Sequence, residues 1–322
     1  MNGPLWIVGS GKMARNLGGY FLGRGVPVCW ISPEPSRLAD ARRTVETMVR
    51  RSGDVSRLAG AYFSLAGDAS LPAPSLILEC TSESAEAKRA ALARLGSAAE
   101  TAGIWSASSS LLPSQIHPRC VGAHFFYPAE LTGLVEVIED RDGQASAWLA
   151  AHGFQVIRQT AASAFALNRL LLPVQNECLQ ALFRGCDPAE VDAASANPLV
   201  PVGQLSLMDS VGLDVVSASV VNYLGRMGDA ARGLEPLRDG LARLVAMGKQ
   251  GRKNRDGLLS GRPLPWPAAT GARVEARGFY DLLRETCGRF IESGWISEED
   301  LMTGLTGLYH CETSLAEARA RP

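Results

Sequence analysis

A histidine and a glutamate twelve positions apart, His124 and Glu136, pose the first chemical question. Imidazoles and carboxylates are the side chains that most often move protons in enzymes. Both lie in "HFFYPAELTGLVEVI", 124–138, and the glutamate interrupts a strand-like apolar run from Leu134 to Ile138. A lone histidine in a strand is usually a satisfied structural residue, and a lone glutamate in a strand usually points to solvent. Three other segments carry reactive or ligand-binding groups: "VGSGKMA" at 8–14, "WSASSSLLPSQI" at 105–116 and "FALNRLLLPVQNEC" at 165–178. A serine cluster after a strand can hydrogen-bond a substrate oxygen, since ligands of open α/β sheets bind outside the carboxyl ends of strands. An amide such as Asn168, at the start of a second domain, can face a cleft.

The first segment has the form G-x-G-x-x-A, with Gly9, Gly11 and Ala14, and Lys12 and Met13 lie within it. Gly9 permits a tight turn, Gly11 lets the backbone approach a pyrophosphate, and a small residue at 14 lets helix and strand pack closely. The helix N-terminus then meets the phosphate charge. Placed between a strand-like run and a helical pattern, the motif predicts a dinucleotide site. The alternative is a glycine turn in a non-binding α/β domain. An acid at the end of the second strand would hold the ribose diol of NAD. Here the segment reads "CWISPEPSR", with Ser32 in that place, Glu34 two residues later and Arg37 after it. Ser32 and Arg37 suit the 2′-phosphate of NADP and Glu34 suits the diol, so NAD and NADP both stand.

These groups need elements to hold them. Apolar runs at 4–8, 26–31, 75–80 and 103–107 read as strands, alternating with helical patterns at 12–23, 36–51 and 84–95. Further strand-like runs follow at 119–124, 133–138 and 153–158. The alternation predicts a parallel sheet with helices on both faces. From residue 168 onward the periodic segments are helical, at 168–185, 188–196, 206–226, 229–247, 274–293 and 297–310. The fold class expected is α/β, a Rossmann-type dinucleotide-binding domain at 1–162 followed by an all-helical domain at 163–322. A Pro/Gly-rich stretch at 260–271 reads as a loop. Residues 177–192 resemble 286–301, each an apolar helix ending at a glycine, Gly185 or Gly294, before a new helix start. Either a duplicated helical unit or two ordinary helix pairs with common caps explains this.

Composition narrows the partners. A net charge of −1 gives no electrostatic footprint for nucleic acid, and the apolar stretches are far shorter than a membrane span. The start "MNGPLWIVGSG" lacks the basic opening and small-residue cleavage site of a signal peptide. Seven scattered cysteines with no C-x-x-C pair read as reduced thiols, so a cytoplasmic location is expected. The lack of H-E-x-x-H or paired-cysteine spacing gives no metal expectation.

In order along the chain, "SSSL", "HFFYP", "LVEVI", "NRLLLP" and "MDSVGLDVV" follow the glycine motif. Together they resemble the L-3-hydroxyacyl-CoA dehydrogenase family over about residues 5–255. The resemblance implies that His124 is the acid–base group. Glu136 would orient its ring and match its charge, Ser109 would hold the reacting oxygen, and Asn168 would position the substrate near its carbonyl end. Ser108 and Ser110 are alternatives for Ser109, and a helix N-cap is the alternative for Asn168. Glu83, Lys88 and Lys253 match positions lining the family's cofactor site. A helix cap is the alternative for Glu83, and solvated surface charge for the two lysines. The implied substrate is a 3-hydroxyacyl thioester of CoA or of acyl-carrier protein; the implied assembly is a homodimer through the helical domain, unless a duplicated helical unit covers that surface within one chain. The 46 residues between Ser32 and Glu79 are fewer than the family usually has, which suits a carrier-bound thioester or a small free hydroxy acid. Dehydrogenases of gulonate and carnitine are the model for that second reading. A non-catalytic binding protein is the third reading, and the retained serine, histidine, glutamate and asparagine argue against it.

Overall fold

The computed structural model describes residues 3–32, 34–64, 70–160, 165–227, 231–266 and 274–320. The chain divides into two compact units, Met1–Ala161 and Ala162–Pro322.

The first unit is built on an eight-stranded sheet. Its strands are β1 (Leu5–Val8), β2 (Val28–Ile31), β3 (Ala61–Ser64), β4 (Leu76–Glu79), β5 (Gly103–Ser106), β6 (Cys120–Phe125), β7 (Leu134–Ile138) and β8 (Gln155–Gln159). Their order is β3-β2-β1-β4-β5-β6-β7-β8. Six neighbouring pairs are parallel. The β6–β7 pair is antiparallel, a departure from the fully parallel expectation. The short α5 (Ala129–Thr132) and Gly133, at φ 58°, turn the chain back between them. β3 is also absent from the sequence reading. It is a four-residue strand pairing only with β2, and its apolar run, Ala61 to Phe63, is only three residues long.

The central strands β1, β2 and β4 are buried along their whole length, which is why they read as continuous apolar runs. One face of the sheet packs Leu5, Ile7, Trp30, Phe125, Val135 and Val137. The other packs Trp6, Val8, Ile31, Ile77, Ile104 and Cys120. The helices α1 (Lys12–Leu22), α2 (Pro35–Ser52) and α3 (Ala85–Ala93) follow the expected patterns. The short α4 (Ser97–Thr101) and α6 (Gln144–Ala151) do not appear in the sequence reading. In α1, Gly18 lies where a Cβ would come within 2.0 Å of the Trp30 ring. This is a Rossmann-type unit, parallel strands flanked by helices.

The second unit is helical among its described residues: α7 (Ala166–Arg169), α8 (Leu172–Phe183), α9 (Pro188–Ser195), α10 (Gln204–Val211), α11 (Leu213–Met227), α12 (Glu235–Ala246), α13 (Ala276–Glu292), α14 (Glu298–Tyr309) and α15 (Leu315–Ala320). The helix expected at 206–226 is two, broken at Gly212, whose φ is 106°. The helix expected at 168–185 is likewise α7 and then α8, with a proline in the first turn of α8. The start of the helix expected at 229–247 falls partly outside the described residues, and α12 itself begins at Glu235. The loop expected at 260–271 is described only to residue 266, without helix or strand there. Gly185 and Gly294 both adopt left-handed backbone, at φ 81° and 66°. Asp187 and Ser297 then cap α9 and α14 with their side chains. The two similar segments therefore share one helix, left-handed glycine and capped-helix design.

The contact between Gly18 and Trp30 predicts that Gly18→Ala destabilises the chain. Better helix propensity would give back about 1 kcal/mol, but overpacking against a rigid indole costs about 1–3 kcal/mol. A urea midpoint equal to or above that of the wild type would contradict this.

Candidate active site

The register of β6 against β7 places His124 directly opposite Glu136. Directly opposed side chains of an antiparallel pair are near neighbours on one face. Nδ1 of His124 and Oε2 of Glu136 are 2.6 Å apart. The pair is buried, His124 at 5% exposure and Glu136 at 0%. A carboxylate only accepts hydrogen bonds, so the Nδ1 proton points at Glu136 and the lone pair of the ring lies on Nε2. The Phe126 ring packs edge-on against the imidazole, with centroids 4.4 Å apart. The amide of Gln159, on β8, donates to Oε1 of Glu136. In α1, Asn16 secures the turn beyond Phe126, accepting from the Ala129 amide at 2.8 Å and donating to Glu130 at 2.6 Å.

A second polar group lies on the same face. Register partners share a face, and the row Val8, Glu79, Ser106, Gly122, Ile138 and Gln159 crosses from β1 to β8. His124 and Glu136 form the next row but one on that face. Glu79 is completely buried. It accepts from Lys88 Nζ at 2.8 Å, Ser106 Oγ at 2.8 Å and the Thr81 amide at 2.5 Å. Lys88, 1% exposed, also lies 3.7 Å from Glu83. Oε1 of Glu83 then gathers the serine turn. It accepts from the hydroxyls of Ser108 and Ser110, each at 2.7 Å, and from the amides of Ser109 and Ser110 at 2.9 and 2.8 Å. The Ser109 hydroxyl is farther, at 3.2 Å, and Ser109 is half-buried where its two neighbours are buried.

These contacts revise two alternatives. Glu83 does not cap α3, because Ser84 does, accepting from the Ala87 amide. Lys88 is not a solvated lysine but a buried cation shared by two carboxylates. It sits inside the wall of the site and holds Glu83, rather than facing a ligand itself. Burial alone would push the Glu83 carboxyl up. Lys88 and the Ser108 and Ser110 hydroxyls outweigh it and hold the carboxyl below its usual range. Burial likewise pulls Lys88 down, but Glu79 and Glu83 raise it above the usual ammonium range.

The glycine turn fits a dinucleotide pyrophosphate. Gly9 has φ 123°, and a Cβ there would lie 2.7 Å from the Cys80 carbonyl oxygen. At Gly11 no heavy atom lies within 4 Å of where a Cβ would be. The α1 N-terminus has no side-chain cap and no acid in its first turn, so its amides face outward without a competing anion. Ala14 is buried, and its carbonyl accepts from the Trp30 indole at 3.2 Å. Met13 is half-buried, and exposed Lys12 lies 3.8 Å from the centre of the Tyr127 ring.

The 2′-phosphate route through Ser32 and Arg37 is not supported. Ser32 is 2% exposed, near the Ser10 hydroxyl and accepting from the Glu34 amide. Arg37 is neutralised by Glu34 at 2.6 Å.

The second unit holds the remaining two candidates. Asn168 is half-buried inside α7, whose N-cap position is Phe165, so the capping alternative does not apply. Lys253 pairs with Asp214 at 2.7 Å, and both are about 40% exposed. The same segments meet again where Asp209 accepts from the amides of Leu258 and Leu259, at 2.9 and 3.0 Å. All seven cysteines are thiols, six buried and Cys80 half-buried. Among the described residues no cluster of three metal-ligating side chains occurs, and no single helix is long and apolar enough to cross a membrane.

Glu79 and Gln159 did not stand out in the sequence. Glu79 carried a signal like that of Glu136, a carboxylate in an apolar strand, here at the strand's end in "SLILEC". Gln159 carried none, since its role depends on β8 lying beside β7.

Comparison with known proteins agrees with this layout. Residues 5–160 match the family model described as 3-hydroxyacyl-CoA dehydrogenase, NAD binding domain. Residues 165–260 match the 3-hydroxyacyl-CoA dehydrogenase, C-terminal domain. A probable 3-hydroxybutyryl-CoA dehydrogenase of Deinococcus radiodurans is 26% identical over 70% of this chain and 81% of its own. The crystal structure of (S)-3-hydroxybutyryl-CoA dehydrogenase from Ralstonia eutropha is similar with a TM-score of 0.69 and 25% identity, over 79% of this chain and 97% of its own. That of 3-hydroxybutyryl-CoA dehydrogenase from Escherichia coli K12 shares the fold with a TM-score of 0.78 and 18% identity, over 98% of this chain and 90% of its own.

The shared cation sets two expectations. Lys88→Met would leave Glu79 as an uncompensated buried charge and cost about 3–5 kcal/mol, read from urea unfolding. Stability should also fall at both ends of the pH scale. A carboxyl held low in the folded chain contributes stability above its unfolded pKa, about 4.3, and loses it as pH falls through the lower folded value. An ammonium held high contributes stability below about 10.4 and loses it as pH rises through the folded value. A Glu83→Gln variant should lose less stability than the wild type on acidification. Identical acid profiles for the two would contradict the assignment.

Proposed function

The chain belongs to the 3-hydroxyacyl-CoA dehydrogenase family of NAD-dependent oxidoreductases, and on that premise we propose that it interconverts a 3-hydroxyacyl thioester and its 3-oxo form. The observation that carries this reading is the buried contact of 2.6 Å between His124 Nδ1 and Glu136 Oε2. It leaves Nε2 as the basic nitrogen, with a fixed tautomer.

In the oxidative direction His124 takes the proton of the substrate 3-hydroxyl on Nε2. Glu136 stabilises the imidazolium that forms, as a carboxylate hydrogen-bonded to the ring does in other acid–base pairs. In the reductive direction the same nitrogen returns the proton to the oxygen. NAD, when bound, supplies the hydride acceptor for the carbon that bears that oxygen. Gly9, Gly11, Lys12, Met13 and Ala14 would hold its pyrophosphate. Ser109 would hold the reacting oxygen, for its hydroxyl lies farthest from Glu83 while Ser108 and Ser110 are turned fully inward. Asn168 would position the carbonyl end of the substrate, and Lys253 would serve the cofactor side. The thioester handle would be CoA or acyl-carrier protein, the short segment between Ser32 and Glu79 favouring the carrier.

NADH consumption with acetoacetyl-CoA, set beside the same acyl group on acyl-carrier protein, tests the proposal. Turnover with either supports it and identifies the handle. NADH binding without turnover of either ester would reject it in favour of a small free hydroxy acid. His124→Ala should lower kcat by about 10²–10⁴-fold, the usual contribution of a positioned acid–base group, with NADH still bound. Undiminished turnover in that variant would remove His124 from the mechanism.

A further inference from the structure

We propose that Gln159 is a positioning residue of the reaction, acting on His124 through Glu136. The inference rests on the acid–base reading of that pair. Glu136 has no exposed surface, and each of its oxygens has a separate donor: Oε2 meets the imidazole and Oε1 meets the Gln159 amide. Only the nitrogen of that amide can face a carboxylate, so its orientation is fixed by chemistry.

The sheet dictates the contact. Glu136 pairs in register with Ile157, and Ile138 pairs with Gln159. Gln159 is two residues beyond Ile157 and so projects from the same face, diagonal to Glu136. The charged neighbours of Glu136 follow from the same alternation. From β6 the titratable group facing it is His124. On β8, Arg158 pairs with Val137 and projects from the opposite face. Along β7 the flanking residues Val135 and Val137 are apolar, and Glu139 lies beyond the strand end.

A donor on Oε1 stabilises the carboxylate and draws charge away from Oε2. It also fixes the rotamer that keeps Oε2 on Nδ1, as outer hydrogen bonds fix histidine-bound carboxylates elsewhere. Without it, more negative charge faces the ring. The imidazolium is then favoured and the base is protonated at a higher pH. A glutamate at position 159 would share a proton with Glu136, because two buried carboxylates in contact do not both ionise, and so would keep a donor on Oε1.

The test uses the full chain with Gln159→Met, which removes the donor, and Gln159→Glu, which keeps the size. Two readouts are taken: the acid limb of kcat/KM for (S)-3-hydroxybutyryl-CoA oxidation by NAD, and the His124 ring titration by NMR. Both should move to higher pH by about half to one unit in the methionine variant and stay near the wild type in the glutamate variant, whose shared proton keeps a donor on Oε1. KM for NAD should not change. A purely packing role would lower stability and leave the ring titration where it was. A titration equal to the wild type in the methionine variant overturns the proposal. A wild type inactive towards this thioester counts against the dehydrogenase reading, and the ring titration still decides the role of Gln159.

Discussion

A carboxylate without exposed surface must be met by donors or it will not stay ionised, and two of them organise this sheet. Glu79 and Glu136 lie on the same face, on β4 and β7, and neither has any accessible area. Desolvation of an unmatched ion would cost several kcal/mol, so each glutamate fixes its surroundings. Glu79 takes in Lys88, Ser106 and Thr81. Glu136 takes in His124 and Gln159. The neighbours are therefore not loosely placed side chains but the terms under which the carboxylates can be buried at all. Rigidity of this kind is what the proposed proton transfer and the proposed hold on the substrate oxygen would require, because small misplacements weaken both.

The two clusters solve the problem differently. Around Glu79 a full positive charge is shared with Glu83, leaving the group with one negative charge that lies nearest the serine turn. Around Glu136 the matching donors are an imidazole and a neutral amide. The first arrangement is static and suits a scaffold. The second can gain and lose a proton, because the imidazole changes charge and the carboxylate is already placed to receive it.

Much of this was legible in the sequence, and the exceptions have physical reasons. The glycine motif, the central strands and the main helices of both units are local patterns, and local patterns survive without knowledge of the fold. His124 and Glu136 could be paired through a resemblance, but their direct opposition depends on β6 and β7 running antiparallel, and no residue of either strand encodes direction. β3 is hard to read because its apolar run, Ala61 to Phe63, is too short to distinguish a strand from a loop. The break at Gly212 was hidden because the helical pattern continues in phase on both sides. Lys88 read as a plausible surface residue because its neighbours in sequence are polar, while its neighbours in space are the closing glutamate of β4 and the one before α3. Gln159 had no local signal at all.

The antiparallel turn between β6 and β7 has one more implication. Side chains in a strand alternate faces, so the parity of the connection decides which way every residue of β7 points. A slip of one residue in the register of β7 against β6 would send Glu136 into the apolar layer of Phe125 and Val137 and bring a valine to the histidine. The surface loop is thus a ruler as well as a link. Its composition is open to change where Asn16 does not hold it, and a change in its length is harmless only where the turn absorbs it without moving β7.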